Sequence, residues 1–250
     1  MLLTNTLKKS LFITLNFILI FFILEQHNFA SEGWQLNENT EEISETEEIE
    51  LGRKIDEYVT NQFYIENNQE LNKAVNEIIQ RIITTSDIKS FNINCKIIQS
   101  NSINAFSAPG GYVYLTYGLL RFAETEDEVA GIVGHELAHV SLRHASKFYH
   151  EVMKTLPKDD NKNNSTAVLL LLNNHLEEYE HEADTTGVIY AQKAGYNPSG
   201  LLEFLERHSS LLVYNKVLGF FRFDTYVTIN SRIDYLRNYI TNMLEKQNHP

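Results

Sequence analysis

Hydrophobic residues recur at helical spacing along most of the chain. Two early stretches show this pattern, and their apolar positions are Ile49, Leu51, Ile55, Tyr58 and Val59 in the first and Leu71, Val75, Ile78, Ile79 and Ile82 in the second. Residues three and four apart share one face of an α-helix, so each stretch predicts an amphipathic packing helix. A longer helix is predicted from about Ala167 past Ala191. Helices are therefore expected over much of residues 47–250.

A different pattern predicts a small β-sheet in the middle of the chain. Polar and apolar residues alternate from Phe91 to Ile98, which is typical of a strand. Two further short strands flank Pro109-Gly110-Gly111, a sequence that favours a tight reversal. The strand that contains Asn104, Ala105 and Phe106 is expected to offer an edge to which an extended peptide substrate can add itself.

Residues 1–30 have the three-part form of a secretory signal. Two lysines precede an apolar run, Leu11 to Leu24, that is short for a membrane span, and Ala30 offers a small residue at a cleavage point. Cleavage near Ala30 and export to the periplasm are therefore expected. Asn28 fits the cleavage rule poorly, so the alternative is an uncleaved anchor with the domain outside the cytoplasm. Residues 31–46 are acidic and are expected to be flexible.

Composition and charge exclude some kinds of site. Cys95 is the only cysteine, so any metal must be held by histidines and carboxylates. The net charge is −12, and much of it is local, because residues 31–50 hold eight acids and no base. A nucleic-acid partner would require a basic stripe, and the sequence contains none. We therefore expect no binding of nucleic acid.

The strongest chemical motif is His135-Glu136-Leu137-Ala138-His139. Histidines four apart project from one helix face and can share one metal ion. Glu136 would then lie beside the ion, where a carboxylate can take a proton from a zinc-bound water. The alternative is a pair of hydrogen-bonded histidines on a core helix. That helix is expected to start among acids and to run to about Ser146, with His144 in a structural role.

A catalytic zinc needs three protein ligands besides its water, so two histidines require a third partner. Glu180, on the long helix, is the best candidate. Asp184 lies four residues later on the same face and can accept the free N–H of a ligating histidine. Glu177 and His181 are less well placed. Taken alone, such a run of acids is more typical of a solvated surface.

Several motifs stand in the same order as in a known family. They are Glu47-Glu48-Ile49-Glu50-Leu51-Gly52, Asn104-Ala105-Phe106 with Pro109-Gly110-Gly111, the His135 to His139 motif, Glu180-His181-Glu182-Ala183-Asp184, Ala194-Gly195-Tyr196-Asn197-Pro198 and Ser231-Arg232-Ile233. On these residues the chain resembles the gluzincin metallopeptidases that include HtpX, BepA and the CAAX prenyl protease. The resemblance implies that His135, His139 and Glu180 bind one zinc ion. It also implies that Glu136 is the general base. The fold that it implies for residues 47–250 is a mostly helical α+β domain, in which a small β-sheet beside the metal-motif helix receives the substrate at its edge.

The chain departs from that family at one place. Members often carry His-Pro shortly before the Arg-Ile pair, and the matching residues here are Tyr226-Val227. Tyr226 could donate a hydrogen bond to the developing oxyanion, or it could be a packed tyrosine; turnover of a Tyr226→Phe variant distinguishes the two. Arg232 either lines the cleft or pairs with an acid. The tandem helical repeats of some relatives are not expected after Glu206.

Together these features predict a zinc-dependent endopeptidase that acts in protein quality control outside the cytoplasm. Its expected partners are unfolded or misassembled proteins, and a membrane is a partner only if residues 1–30 stay attached. The alternative is a zinc-binding chaperone or assembly factor of the same fold with little or no proteolysis. Glu136 separates the two functions, because hydrolysis needs a base and binding does not.

Overall fold

The periodic stretches of the chain form helices, and the alternating stretch forms a strand. The structure is a computed structural model that describes residues 43–88, 92–155, 164–217 and 223–248. The predicted signal, most of the predicted acidic segment and most of the polar loop expected from Pro157 to Ser165 lie outside the described residues. Within the described residues, no helix combines the length and the apolar character that crossing a membrane requires.

The elements match the predicted class of a mostly helical α+β fold, which is confirmed. The helices are α1 Glu45–Gln62, α2 Gln69–Thr85, α3 Tyr117–Phe122, α4 Glu126–Ser141, α5 His144–Thr155, α6 Asn164–Lys193, α7 Gly200–Val217 and α8 Phe223–Asn248. The strands are β1 Asn94–Ile98, β2 Ala105–Ala108 and β3 Tyr112–Thr116.

The elements fall into two compact units. The first consists of the described residues of Met1–Glu66, Ser90–Leu119 and Leu142–Leu176. The second consists of those of Asn67–Lys89, Leu120–Ser141 and Glu177–Pro250. The sheet belongs to the first unit, and the histidine motif with the acidic half of α6 belongs to the second.

The first unit is built on a three-stranded sheet in the order β1-β3-β2. β1 runs parallel to β3, and β2 runs antiparallel to it, so β2 lies at one edge. The predicted reversal between β2 and β3 is present as a 3₁₀ turn, and Gly110 has a φ of 74° there, a conformation that glycine adopts without strain. Phe106 stacks on Tyr114 across the strand pair with the ring centroids 4.6 Å apart. Leu51, Ile55 and Val59 of α1 bury their side chains in the same core.

The second unit is organised around α4, of which every residue from Ala130 to Val140 is buried. Its acidic first turn is fixed by a part-buried ion pair, in which Arg207 of α7 donates to both oxygens of the buried Glu128 at 2.5 and 2.6 Å. Gly131 lets α7 approach closely, because a Cβ there would lie 2.5 Å from the backbone nitrogen of Leu201. The histidine motif therefore lies on a buried helix.

The predicted end of α4 near Ser146 is wrong. The helix ends at Ser141, and α5 begins at His144. Between them Arg143 has a φ of 57°, which is outside the helical region. Its guanidinium pairs with the buried Glu48 and donates to the carbonyl of Ile43 at 2.7 Å. These tertiary contacts hold a conformation that no glycine or proline in the sequence indicates.

A buried histidine in the second unit predicts a loss of stability in acid. Burial of His208 against Phe122 and Phe204, together with the charge of Arg232, lowers the pKa of His208 to about 4. The unfolded chain, with a histidine pKa of about 6.5, binds the proton first. The stabilising contribution is therefore complete above pH 6.5 and is lost as the pH falls toward 4.

We expect His208→Gln to remove this part of the acid response. Between pH 7 and pH 4.5 the free energy of unfolding of the wild type should fall by about 2–3 kcal/mol more than that of the variant. Urea unfolding at the two pH values measures the difference, since all other groups titrate in both proteins. An equal decline in the two proteins would contradict a neutral buried His208.

Candidate metal centre

Two glycines bring α4 and α6 into backbone contact beside the histidine motif. A Cβ on Gly134 would lie 2.6 Å from the carbonyl oxygen of Gly187. A Cβ on Gly187 would lie 2.6 Å from the backbone nitrogen of His135. Real Cβ atoms do not approach backbone atoms so closely, so the two helices tolerate only glycine at this contact. The contact brings the side chains of α6 within reach of the motif on α4.

The structure brings together the three side chains that the sequence singled out as metal ligands. The Nε2 atoms of His135 and His139 lie 3.1 Å apart. Glu180 of α6 turns one carboxylate oxygen to each histidine, both at 3.5 Å. All three residues are buried. The chain therefore folds these distant residues into one cluster with its nitrogen and oxygen atoms facing each other.

The cluster has the donors and the spacing of a zinc site. Zinc binds histidine nitrogen and carboxylate oxygen at about 2.0–2.1 Å, so tetrahedral ligands lie about 3.3 Å from one another. The separations of 3.1 and 3.5 Å in the cluster agree with this value. Its candidate donor atoms all lie within 4.8 Å of one another. Among the described residues, no other group of three or more histidine, cysteine or acidic side chains brings its donor atoms as close together.

Asp184 fixes the orientation of one histidine ring. Its Oδ1 lies 2.9 Å from Nδ1 of His135, and its side chain is completely buried. When Nδ1 of His135 donates its proton to this carboxylate, Nε2 keeps a lone pair that points into the cluster. The predicted position of Asp184, four residues after Glu180 on the same face of α6, produces this contact.

Arg232 of α8 binds both acidic residues of the cluster. Its Nε and Nη2 donate to the two oxygens of Asp184 at 2.9 and 2.6 Å. Its Nη1 lies 2.8 Å from Oε2 of Glu180. The same guanidinium reaches the ring of His135, with Nη2 3.3 Å from Nδ1. Of the two alternatives that the sequence left open for Arg232, the structure shows the pairing with acids.

The charges in this cluster shift one another's ionisation. Burial alone would raise the pKa of Glu180, but the positive charge of Arg232 and hydrogen bonds with both histidines hold that pKa well below its usual range. The pKa of Asp184 is lowered against burial by Arg232 and His135. Burial and Arg232 lower the pKa of His135, whereas hydrogen bonds with Asp184 and Glu180 raise it, and the net pKa is about 9. A metal ion that binds the ring of His135 would therefore displace a proton.

Comparison with known proteins identifies the family to which this cluster belongs. Residues 69–250, which are more than half of the chain, match the family model described as Peptidase family M48. The chain belongs to peptidase family M48. The match confirms the gluzincin resemblance and the predicted class of metallopeptidase, and members of this family depend on a metal.

Curated relatives of this M48 chain include proteins from bacteria and a plant. The putative beta-barrel assembly-enhancing protease of Vibrio cholerae is 26% identical over 161 residues, which cover 56% of this chain and 33% of that protein. The Escherichia coli beta-barrel assembly-enhancing protease is 22% identical over the same length and shares. The mitochondrial metalloendopeptidase OMA1 of Arabidopsis thaliana is 27% identical over 128 residues, 46% of this chain and 25% of that protein. The matches thus span about a third or less of these relatives.

The remaining predicted site residues of the M48 chain lie in different surroundings. Glu136 is buried on α4, next to His135. Ala105 and Phe106 lie in the edge strand β2, directly after Asn104, whose backbone N–H donates to Oγ1 of Thr116. Tyr226 falls within α8, but its side chain lies outside the described residues. The roles of these residues stay predictions.

Sequence reasoning missed two features of the M48 cluster. The Ser-Arg-Ile motif drew attention to Arg232, but the position of α8 beside α6 could not be inferred, because Arg232 is 48 positions after Asp184 in the sequence. Sequence reasoning also overlooked the contact between Gly134 and Gly187. A signal for this contact was available, because each glycine interrupts a helical pattern close to a metal motif.

Proposed function

We propose that this M48 chain is a zinc-dependent endopeptidase and that His135, His139 and Glu180 hold the zinc ion. The observation that supports this most strongly is the buried triangle of two imidazole nitrogens and one carboxylate, with side lengths of 3.1 and 3.5 Å. Three protein ligands leave the fourth position of a tetrahedral ion open to water, which is the arrangement of a catalytic zinc site.

The chemistry is determined by the residues around the triangle. A zinc ion held by the triangle would supply Lewis-acid catalysis and an activated water. Glu136 accepts a proton from the attacking water and returns it to the leaving amine. Asp184 holds His135 in the tautomer whose Nε2 faces the cluster, at an Nδ1 to Oδ1 distance of 2.9 Å. We keep Tyr226 as a candidate hydrogen-bond donor to the oxyanion.

The proposed substrates are proteins bound in an extended form. β2 is an edge strand, and the segment from Asn104 to Phe106 would pair with the substrate backbone by strand addition. Two relatives are named as proteases that enhance beta-barrel assembly. These names favour a role in protein quality control with unfolded or misassembled proteins as substrates. Residues 1–30 would direct the chain out of the cytoplasm, into the periplasm or onto the outer side of a membrane.

Metal removal tests this function directly. We expect about one zinc ion per chain by elemental analysis, and dialysis against a chelator should lower cleavage of a reduced, unfolded test protein by more than about 100-fold. Zinc added back should restore cleavage, since the three binding side chains are preorganised. Full cleavage by metal-free protein would refute the proposal. Zinc-loaded protein that binds the unfolded test protein and never cleaves it would favour the chaperone function instead.

A further inference from the structure

The candidate metal centre gathers an unusual amount of buried negative charge. Glu136, Glu180 and Asp184 are 3%, 7% and 0% exposed. A buried carboxylate costs several kcal/mol unless an opposite charge and hydrogen bonds compensate it. Carboxylates that lie close together also repel one another. The unit can fold around them only if positive charge is built into the same place.

Arg232 supplies that positive charge through a shape that lysine lacks. Its planar guanidinium donates from two edges, to both oxygens of Asp184 at 2.9 and 2.6 Å and to Glu180 at 2.8 Å. One cation thereby holds a candidate ligand and the carboxylate that orients His135. Such bidentate pairing fixes direction as well as distance, whereas an ammonium group acts as a point charge.

The charges of the site balance only with a divalent ion present. With neutral imidazoles, three carboxylates and Arg232 leave two negative charges, which one divalent cation would neutralise. Among the residues that the structure describes, Arg232 is the one arginine or lysine in contact with this cluster. It is therefore the permanent positive charge of the site before an ion binds. Without it, Glu180 and Asp184 would lose the permanent positive charge that both of them contact, and the shared contact left to them would be the ring of His135.

We propose that Arg232 is a positioning residue that serves as the internal counter-charge of the metal-free site. It holds the carboxylates of Glu180 and Asp184 in the arrangement that receives the ion, so that the unit stays folded and ready before metal arrives. This inference rests on the proposed function, because it takes the cluster to be a metal site.

A purely structural role for Arg232 makes a different prediction. If the residue only fastens α8 to α6, its loss lowers stability by the same amount whether or not zinc is bound. If it is the counter-charge, zinc replaces part of the lost stabilisation, because the ion brings positive charge to the same carboxylates. The dependence of stability on zinc therefore separates the two roles, and it requires no measurement of activity.

The test compares the thermal midpoints of wild type and Arg232→Gln, each with a chelator and with saturating zinc. We expect the metal-free variant to melt about 10 °C below the metal-free wild type, and the zinc-loaded variant to fall by less than half of that. The rise in Tm caused by zinc should thus be larger in Arg232→Gln than in the wild type. Arg232→Lys keeps the positive charge but cannot form the bidentate pair with Asp184, so its rise in Tm with zinc should lie between those of the wild type and Arg232→Gln. This variant serves as the test if the glutamine variant fails to fold.

Arg207→Gln is the matched control. Arg207 makes the same kind of bidentate pair with the buried Glu128 in the same unit, but Glu128 is not one of the candidate metal ligands. Its loss should lower Tm equally with and without zinc. Equal losses in the Arg232 variants, while wild type still gains stability from zinc, would overturn the counter-charge alone. A wild type whose Tm does not respond to zinc would overturn the proposed function together with this inference.

Discussion

Replacement of Glu136 by glutamine is expected to lower the rate of peptide hydrolysis by about 10²–10⁴-fold and to leave the zinc content unchanged. Glutamine has nearly the same shape but cannot accept the proton of the attacking water. Glu136 is buried next to His135 without being one of the three clustered donors, so its replacement leaves the metal-binding atoms in place. Cleavage of an unfolded test protein and elemental analysis of the same sample measure both effects.

Glu182→Gln provides the matched control for this experiment. Glu182 lies on α6 two residues after Glu180, and its side chain is exposed. The same change of charge there should leave both hydrolysis and zinc content within about twofold of wild type, as is usual for surface substitutions. Full proteolysis by Glu136→Gln would exclude Glu136 as the general base.

Gly187→Ala is expected to weaken zinc binding strongly, although Gly187 has no side chain that could bind a metal. The added methyl group would lie 2.6 Å from the backbone nitrogen and 2.7 Å from the Cα of His135. Backbone atoms in a buried helix cannot move aside as the end of a side chain can, so α4 and α6 must separate. We expect zinc affinity to fall by about 10–100-fold or more, because the groups that support metal ligands usually have effects of this size when they are disturbed. The free energy of unfolding should fall by about 1–3 kcal/mol.

Gly195→Ala separates this effect from the ordinary cost of losing a glycine. Gly195 lies after the end of α6 with a φ of 86°, and a Cβ there would meet no atom within 4 Å. Alanine at this position should cost about 1–2 kcal/mol of stability through backbone strain and should leave zinc affinity unchanged. Chelator competition gives the affinities of both variants. Zinc affinity of wild-type strength in Gly187→Ala would show that the helices do not need their close contact.

The parts of the site that were predictable from sequence are those fixed by local geometry. His135 and His139 lie one helical turn apart whatever the rest of the chain does, and Glu180 and Asp184 share a face for the same reason. The need for a third ligand then pointed to Glu180, and the spacing and alternation of hydrophobic residues predicted individual helices and strands of the fold.

The parts that were not predictable depend on contacts between distant segments. α4 stops at Ser141 because Arg143 is held in a left-handed conformation by Glu48 and Ile43, about a hundred residues earlier. Arg232 finds Asp184 and Glu180 only because α8 packs beside α6. Spacing along the sequence carries no information about either approach, since both are decided by how whole helices pack.

Glu180, Asp184 and Gly187 occupy a single stripe of α6, at intervals of four and three residues. Each residue inserted into a helix rotates all later side chains by about 100° around the helix axis. An insertion or deletion of one residue between 180 and 187 would therefore point either the carboxylates or the helix contact in the wrong direction. Substitutions away from this stripe keep its geometry, whereas a change in the length of this eight-residue segment does not.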